Sequence, residues 1–293
     1  MQPWVVIDAD DMVGCLKTAV CMIVRNEARD IQEWIAFHAL AGFDSQIIFD
    51  NASTDGTAAL IQAAARHYDI RFHNWTDRTV SSQVLAYQAA CAAYQLEFDW
   101  IAFLDSDEFL VTPDSEPVNQ FLSRFDGWSA VAVNWAVYGS SFHDESPAGL
   151  VVENFTRRAA ADFFPARHVK SIIRPRLARS CANPHYFEMQ EDIDGHYCDA
   201  DGRYMLWVRA PEAGGVLRGV SRAEPDYALC RVNHYFTRSK AHWRAKLQRG
   251  YPSDFLVRKT EEFAAYDRNE IDDPIAARDL AALKDAVNRL RED

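Results

Sequence analysis

The sequence predicts an α/β fold: a mostly parallel sheet with helices on both faces, followed by a less regular region and C-terminal helices. Three observations carry this. Short apolar runs alternate with amphipathic helical runs from Ala19 to about Val137. One of them, Trp100–Leu104 (WIAFL), is apolar without a break, as a strand buried on both faces must be. Turn-forming residues punctuate the segments at the spacing of β-α units. At 293 residues and 48% hydrophobic, the chain can bury a sizeable core. Its 17 Phe, 11 Tyr and 8 Trp exclude disorder. A net charge of −12 argues against nucleic acid as a partner, because neutralising phosphates needs surplus Lys and Arg.

Taken in order, Ala19–Val24 (AVCMIV) reads as a buried strand. Asp30–Ala41 carries Ile31, Trp34, Ile35 and His38 at helical spacing and stops at Gly42. Gln46–Phe49 is a second strand, and Thr54–His67 a helix entered through a Ser-Thr-Asp-Gly turn. Ile70–Trp75 is a third strand, Val80–Leu96 a third helix, and Trp100–Leu104 a fourth strand. Pro117–Phe125 is a short helix and Ser129–Val137 another strand. Beyond Gly139 the periodicity weakens, with strand-like pieces at Leu150–Phe155, Val169–Ile173 and Leu229–Asn233. The chain turns helical again from Ser239 through Gly250, and Pro274–Leu290 reads as a terminal helix.

None of the six cysteines forms a C-x-x-C pair, and their spacings match no zinc pattern, so a reducing compartment is the simplest reading. Asp8, Asp10 and Asp11 interrupt the first apolar run, unlike a signal peptide. No transmembrane segment is expected, since no stretch approaches the roughly 18–20 apolar residues that span a bilayer. The expected location is cytoplasmic. Peripheral membrane association through an acceptor or partner stays open, although an acidic surface does not favour anionic lipid.

WIAFLDSDEFL is the most informative stretch. A buried strand delivers Asp105, Asp107 and Glu108 to its carboxyl end, where ligands of open α/β sheets sit. Aspartates at i and i+2 of an extended chain project to one side, within reach of one hard divalent ion and the phosphate oxygens it attracts. The plainer alternative is a pair of acidic residues capping a strand-to-loop turn.

VCMIVRNEARDIQEWIAFHALAGFD followed by IIFDNASTDGT resembles the opening of family 2-like glycosyltransferases. The E-W-I-A-F-H and F-D-N forms are similar to the branch related to the family 92 enzymes, as are WIAFLDSDEFL, VYGSSFH, VKSIIRP and VNHYFTRSKAHWRAKLQRG. The resemblance covers about Ala19 to Gly250. It implies the GT-A (Rossmann-like) fold, a nucleoside-diphosphate sugar donor, often a UDP-sugar, and dependence on Mn²⁺ or Mg²⁺. On that basis residues 1–250 form one glycosyltransferase domain, its nucleotide-binding part about 19–137 and its acceptor part about 138–250. Residues 251–293 form a helical extension.

The resemblance places Asn26 and Glu27 at the first nucleotide-contacting loop, with a helix cap as the alternative role. It places Asp50 at the base or ribose, and Asp105 and Asp107 in the metal motif, where Asp105 also faces the donor. His234 is expected to return to the metal as a neutral imidazole, against a plain packing role beside Tyr235. Lys170 and Arg174 share a strand face and suit a cationic clamp on the diphosphate. Arg238, Lys240, Arg244, Lys246 and Arg249 read first as an ordinary solvated helix face.

An inverting reaction, inherited from the resemblance, needs a carboxylate base beside the acceptor. Glu145 is favoured and Asp192 second, against ordinary loop acidity. The acceptor class expected is a glycan or glycolipid of cell-envelope type. A haloacid-dehalogenase-type phosphatase is the main competing enzyme class, but there Thr or Val normally follows the second Asp, where this chain has Glu108. A nucleotidyltransferase would open with a Gly-rich loop, and Ala19–Glu27 has no glycine. A non-catalytic carbohydrate-binding relative is the third reading.

Overall fold

The computed structural model describes residues 16–190, 196–210, 215–249, 259–274, 276 and 279–292. The first half builds as the alternation predicts: β1 (Thr18–Val24), α1 (Ile31–Leu40), β2 (Ser45–Asp50), α2 (Thr57–Ala64), β3 (Ile70–Asn74), α3 (Ser82–Tyr94) and β4 (Trp100–Phe103). Next come β5 (Glu108–Val111), α4 (Val118–Leu122), β6 (Ala130–Val137), α5 (Val151–Asn154), β7 (Arg157–Arg158) and β8 (Val169–Ile173). Two hairpins follow, β9 (Ala178–Asn183) with β10 (Tyr186–Met189), and, after β11 (Tyr197–Asp199), β12 (Trp207–Ala210) with β13 (Gly215–Ser221). The chain closes through β14 (Arg231–His234), α6 (Lys240–Arg249), α7 (Thr260–Tyr266), β15 (Ile271–Asp272) and α8 (Leu280–Arg291).

The main sheet runs β3-β2-β1-β4-β8-β6-β14-β5, with β11 beside β6. Strands β3, β2, β1 and β4 are parallel, as expected of β-α units. Beyond β4 the sheet is mixed. Strand β8 is antiparallel to both β4 and β6, and β14 pairs parallel with β6 but antiparallel with β5. Between β6 and β8 lie the single turn of α5, the short β7 and a 3-10 turn at Phe164–Arg167, but no crossover helix of the length that a parallel return needs.

Strand β1 is buried on both faces and divides its side chains between two cores. Val20, Met22 and Val24 meet Trp34 and Ile35 of α1, while Ala19, Cys21 and Ile23 meet Ala86, Tyr87 and Ala90 of α3. This layering, a sheet with helices on both faces, is the α/β architecture that the sequence predicts. Leu150–Phe155 is not a strand but carries the helical turn α5. The Glu33 carboxylate accepts the N–H groups of Val151 (2.7 Å) and Val152 (3.0 Å) and so satisfies its first donors. Helix α8 packs Leu283, Val287 and Leu290 into the same core as α1, and Gln32 Nε2 donates to Leu290 O at 2.7 Å. Strand β15 pairs with β7. The last described residues are therefore knitted into the domain and not an appendage. The five described cysteines are buried and free. Among the described residues no helix is long and apolar enough to cross a membrane.

Candidate active site

The site forms where β4 ends. The chain turns through Asp105, Ser106 and Asp107 and leaves on β5, with the Glu108 N–H donating to Asp105 O at 3.1 Å. The Trp34 indole N–H, presented by α1, reaches both Asp105 O (3.1 Å) and Glu108 O (2.9 Å) and fastens the turn from below. Because the backbone turns here, the two aspartates do not project side by side as an extended chain would place them. They face opposite walls, each with its own buried lysine.

On one wall Lys170 of β8, 1% exposed, places Nζ 3.0 Å from Asp105 Oδ1 and 3.1 Å from Glu108 Oε2. Asp105 Oδ1 also accepts from Gln83 Nε2 (2.6 Å) and the Tyr87 hydroxyl (3.3 Å), both on α3. Burial pushes the Asp105 carboxyl up, but Lys170 outweighs it and holds it below the usual aspartate value. Glu108 goes the other way. Burial, then the charge of Asp105, push it up to about 8 despite Lys170. Its Oε2 accepts the Asp105 N–H at 2.7 Å, so it braces the turn from inside.

On the other wall Lys246 of α6, 4% exposed, donates to Asp107 Oδ2 at 2.6 Å and to Phe236 O at 3.0 Å. The second oxygen, Oδ1, lies 3.5 Å from His234 Nε2 at the end of β14. Burial favours the charge-free Asp107, yet Lys246 and His234 overcome it and hold the carboxyl well below the usual value. Burial lowers the His234 pKa against the pull of Asp107 and so favours the neutral ring. Trp135 packs on that ring, with centroids 4.2 Å apart.

An ionised carboxylate oxygen and a neutral imidazole at this separation suit one Mn²⁺ or Mg²⁺, since two donors roughly 2.1 Å from an ion sit about 3 Å apart. Among the described residues no three His, Cys, Asp or Glu side chains converge on one point. Asp107 and His234 would thus hold the ion with diphosphate oxygens and water completing its shell, while Asp105 stands apart on the Lys170 wall.

Asp50 ends β2 at the same carboxyl edge, in register with Val24 of β1. Its Oδ2 accepts the Ser53 N–H at 3.1 Å, and its Oδ1 is buried without a hydrogen-bond partner. A buried acceptor left unpaired costs about 1–3 kcal/mol, a cost that a ligand donor would offset. Asn26 has left-handed backbone (φ 55°), and its Oδ1 accepts the Thr54 N–H at 2.8 Å. The Glu27 N–H donates to Thr57 Oγ1 at 2.8 Å, and the Ala28 N–H to Asp55 Oδ2 at 3.0 Å. Asn26 and Glu27 therefore join the β1–α1 loop to the Ser-Thr-Asp-Gly turn. The helix-cap position belongs to Asp30.

Arg174 is a correction. It shares a strand face with Lys170, but β8 runs antiparallel to β4, so four residues carry it about 13 Å toward the opposite edge. There its guanidinium lies 4.4 Å over the Trp100 ring and Nε donates to Trp128 O at 3.0 Å. It cannot join a diphosphate clamp. The basic cluster is a second correction: Lys246 and Arg238 are buried, and Arg238 pairs with Asp30, so those two are not on a solvated face. Glu145 is exposed, one residue beyond the Asp144–Lys240 ion pair at 2.6 Å. Asp192 lies outside the described residues. The sequence does not announce Gln83, Tyr87 and Trp34 in the site, and it brings Glu108 to the strand end without giving it a role. Only Glu108, adjacent to the acidic triplet, carried a signal in the sequence.

Several known proteins are similar to this chain. A glycosyltransferase family 92 protein of Arabidopsis thaliana is 29% identical over 191 residues, covering 60% of this chain and 32% of its own length. One from Oryza sativa subsp. japonica is 29% identical over 180 residues, covering 59% and 30%. The chain thus spans about a third of the length of the curated relatives it matches. Among solved structures, Staphylococcus aureus TarS 1–349 aligns at 15% identity with a TM-score of 0.35, over 55% of this chain and 48% of that one. Glucosyl-3-phosphoglycerate synthase from Mycobacterium tuberculosis, in complex with Mn²⁺, UDP-glucose and phosphoglyceric acid, aligns at 18% identity with a TM-score of 0.33, over 56% and 58%. Residues 17–276, nearly the whole described domain, match the profile of glycosyltransferase family 92, and the chain belongs to that family.

Proposed function

We propose that this chain transfers a sugar from a nucleoside-diphosphate sugar, most simply a UDP-sugar, to a hydroxyl of a glycan or glycolipid, with inversion at the anomeric carbon. The observation that supports this best is the Asp107–His234 pair, 3.5 Å apart, at the same carboxyl edge of the sheet as the unpartnered Oδ1 of Asp50. Asp50 would accept from the base or ribose of the donor, and the loop that Asn26 and Glu27 stitch would form the floor under the nucleotide. Asp107 and His234 would hold a divalent ion, which would supply charge stabilisation for the departing diphosphate.

Lys170 holds Asp105 in place on the opposite wall, and Lys246 supplies a buried positive charge beside Asp107. In the reaction the acceptor oxygen attacks the anomeric carbon from the face opposite the diphosphate. The bond to the diphosphate oxygen breaks, its electron pair leaves on the diphosphate, and the acceptor proton passes to a carboxylate base. Glu145, on the loop after β6, is our first choice for that base and Asp192 the second.

A thermal-shift series with UDP, GDP and sugar phosphates, each with and without Mn²⁺, tests the reading. Stabilisation by UDP that requires Mn²⁺, and is lost in Asp107→Asn, is the expected result. Stabilisation by inorganic phosphate alone, or an Asp107→Asn protein with wild-type UDP affinity and turnover, contradicts it.

A further inference from the structure

Asp107 is held by a cation before any metal arrives. Lys246 Nζ is 2.6 Å from Oδ2, only 4% exposed, and anchored by the Phe236 carbonyl at 3.0 Å. The Phe236 ring (4.7 Å) and the Trp243 ring (5.9 Å) wall the ammonium off from water. Lys170 does the same for Asp105 and Glu108 at 3.0 and 3.1 Å. Every acidic group of the turn thus already faces a buried ammonium, which offsets the negative charge that the bare site offers a divalent ion.

We infer that Lys246 couples the two ligands of this site: its ammonium disfavours a divalent ion at Asp107 until a diphosphate is present to be shared by both cations. The inference rests on the donor-site reading above and extends it to a residue that reading does not explain. An ion entering alone meets a like charge across one carboxylate, in surroundings where charges act more strongly than in water. A diphosphate brings several acceptor oxygens and enough negative charge to engage the ammonium and the ion together. The two binding events then favour each other, and by linkage the factor is the same in both directions.

Mn²⁺ affinity, measured on the whole chain by calorimetry without nucleotide and with saturating UDP, tests this. Lys246→Met keeps the length of the side chain and its packing against Phe236 and Trp243 but removes the charge. It is expected to bind Mn²⁺ alone about tenfold more tightly than wild type, and to lose at least about tenfold of the gain that UDP brings. Lys246→Arg, which keeps the charge, should stay near wild type. Lys246→Gln repeats the measurement should the Met variant not fold. A charge-free variant that binds Mn²⁺ alone no more tightly than wild type, or that keeps the full UDP gain, overturns the role of Lys246. Wild-type protein that binds UDP neither alone nor with Mn²⁺ overturns the donor-site reading instead, and this inference with it.

Discussion

Lys170→Met is the sharpest probe of how the turn is held. Lys170 is 1% exposed and spans Asp105 and Glu108 at 3.0 and 3.1 Å, so its removal leaves two carboxyls facing each other without a cation. Removing one partner of a buried ion pair costs about 3–5 kcal/mol. At roughly 2–4 °C per kcal/mol for a domain somewhat smaller than this one, Tm should fall by about 6–20 °C.

The loss should depend on pH. With Lys170 present, Glu108 already stands at about 8, raised by burial and then by Asp105. Without Lys170 it rises further, and Asp105, now held low by that lysine, rises too. An acid whose folded pKa exceeds its unfolded value contributes stability below the unfolded value, about 4.3 for Glu, and loses it as pH climbs toward the folded value. Between pH 4.5 and 8 Glu108 is protonated in both folded proteins and cancels, so the penalty of Lys170→Met grows there through Asp105, held low by Lys170 and raised without it, and through Glu108 only from about pH 8 upward. Urea unfolding at both pH values measures it, and Glu108→Gln combined with Lys170→Met should recover part of the loss at pH 8. A loss under about 1 kcal/mol, or one equal at the two pH values, would refute the picture of a lysine-braced turn.

Two further substitutions separate the nucleotide site from the scaffold. Asp50→Asn keeps an acceptor for the Ser53 N–H but removes the charge; titration with UDP should show affinity lower by about tenfold, as expected for one hydrogen bond to a charged group, with Tm changed by only a few degrees. Arg174→Ala should leave UDP affinity untouched while lowering stability by about 1 kcal/mol, the worth of its stacking on Trp100.

The fold of residues 18–137 was legible because local periodicity and turn chemistry decide it. The runs AVCMIV and WIAFL, alternating with segments of helical spacing, read as strands buried on both faces. The carboxyl-edge position of Asp50 and Asp105 followed from strand direction, which β-α alternation fixes. Strand direction after β6 was not written locally, and Arg174 shows the consequence: four residues on the correct face point to the wrong edge once β8 runs antiparallel. The pairing of β5 with β14, which brings His234 to Glu108 and Asp107, spans more than a hundred residues. The burial of Lys246 is of the same kind. On its own helix it sits among charged neighbours, and only packing across to β14 and the β4–β5 turn makes it a buried partner. Leu150–Phe155 (LVVENF) misled because three apolar residues and a closing Phe fit a strand as well as one helical turn, and the deciding Glu33 carboxylate lies 118 residues away.

Trp34 gives position 34 a reach beyond its own helix. A single N–H spans the carbonyls of Asp105 and Glu108, so the breadth of one indole sets the gap between the first and last residues of the acidic turn. No substrate needs to touch this ring for the chemistry to depend on it. Variation in the E-W-I segment of α1, read by itself as a change in core packing, is also a change in the gauge of the site above it.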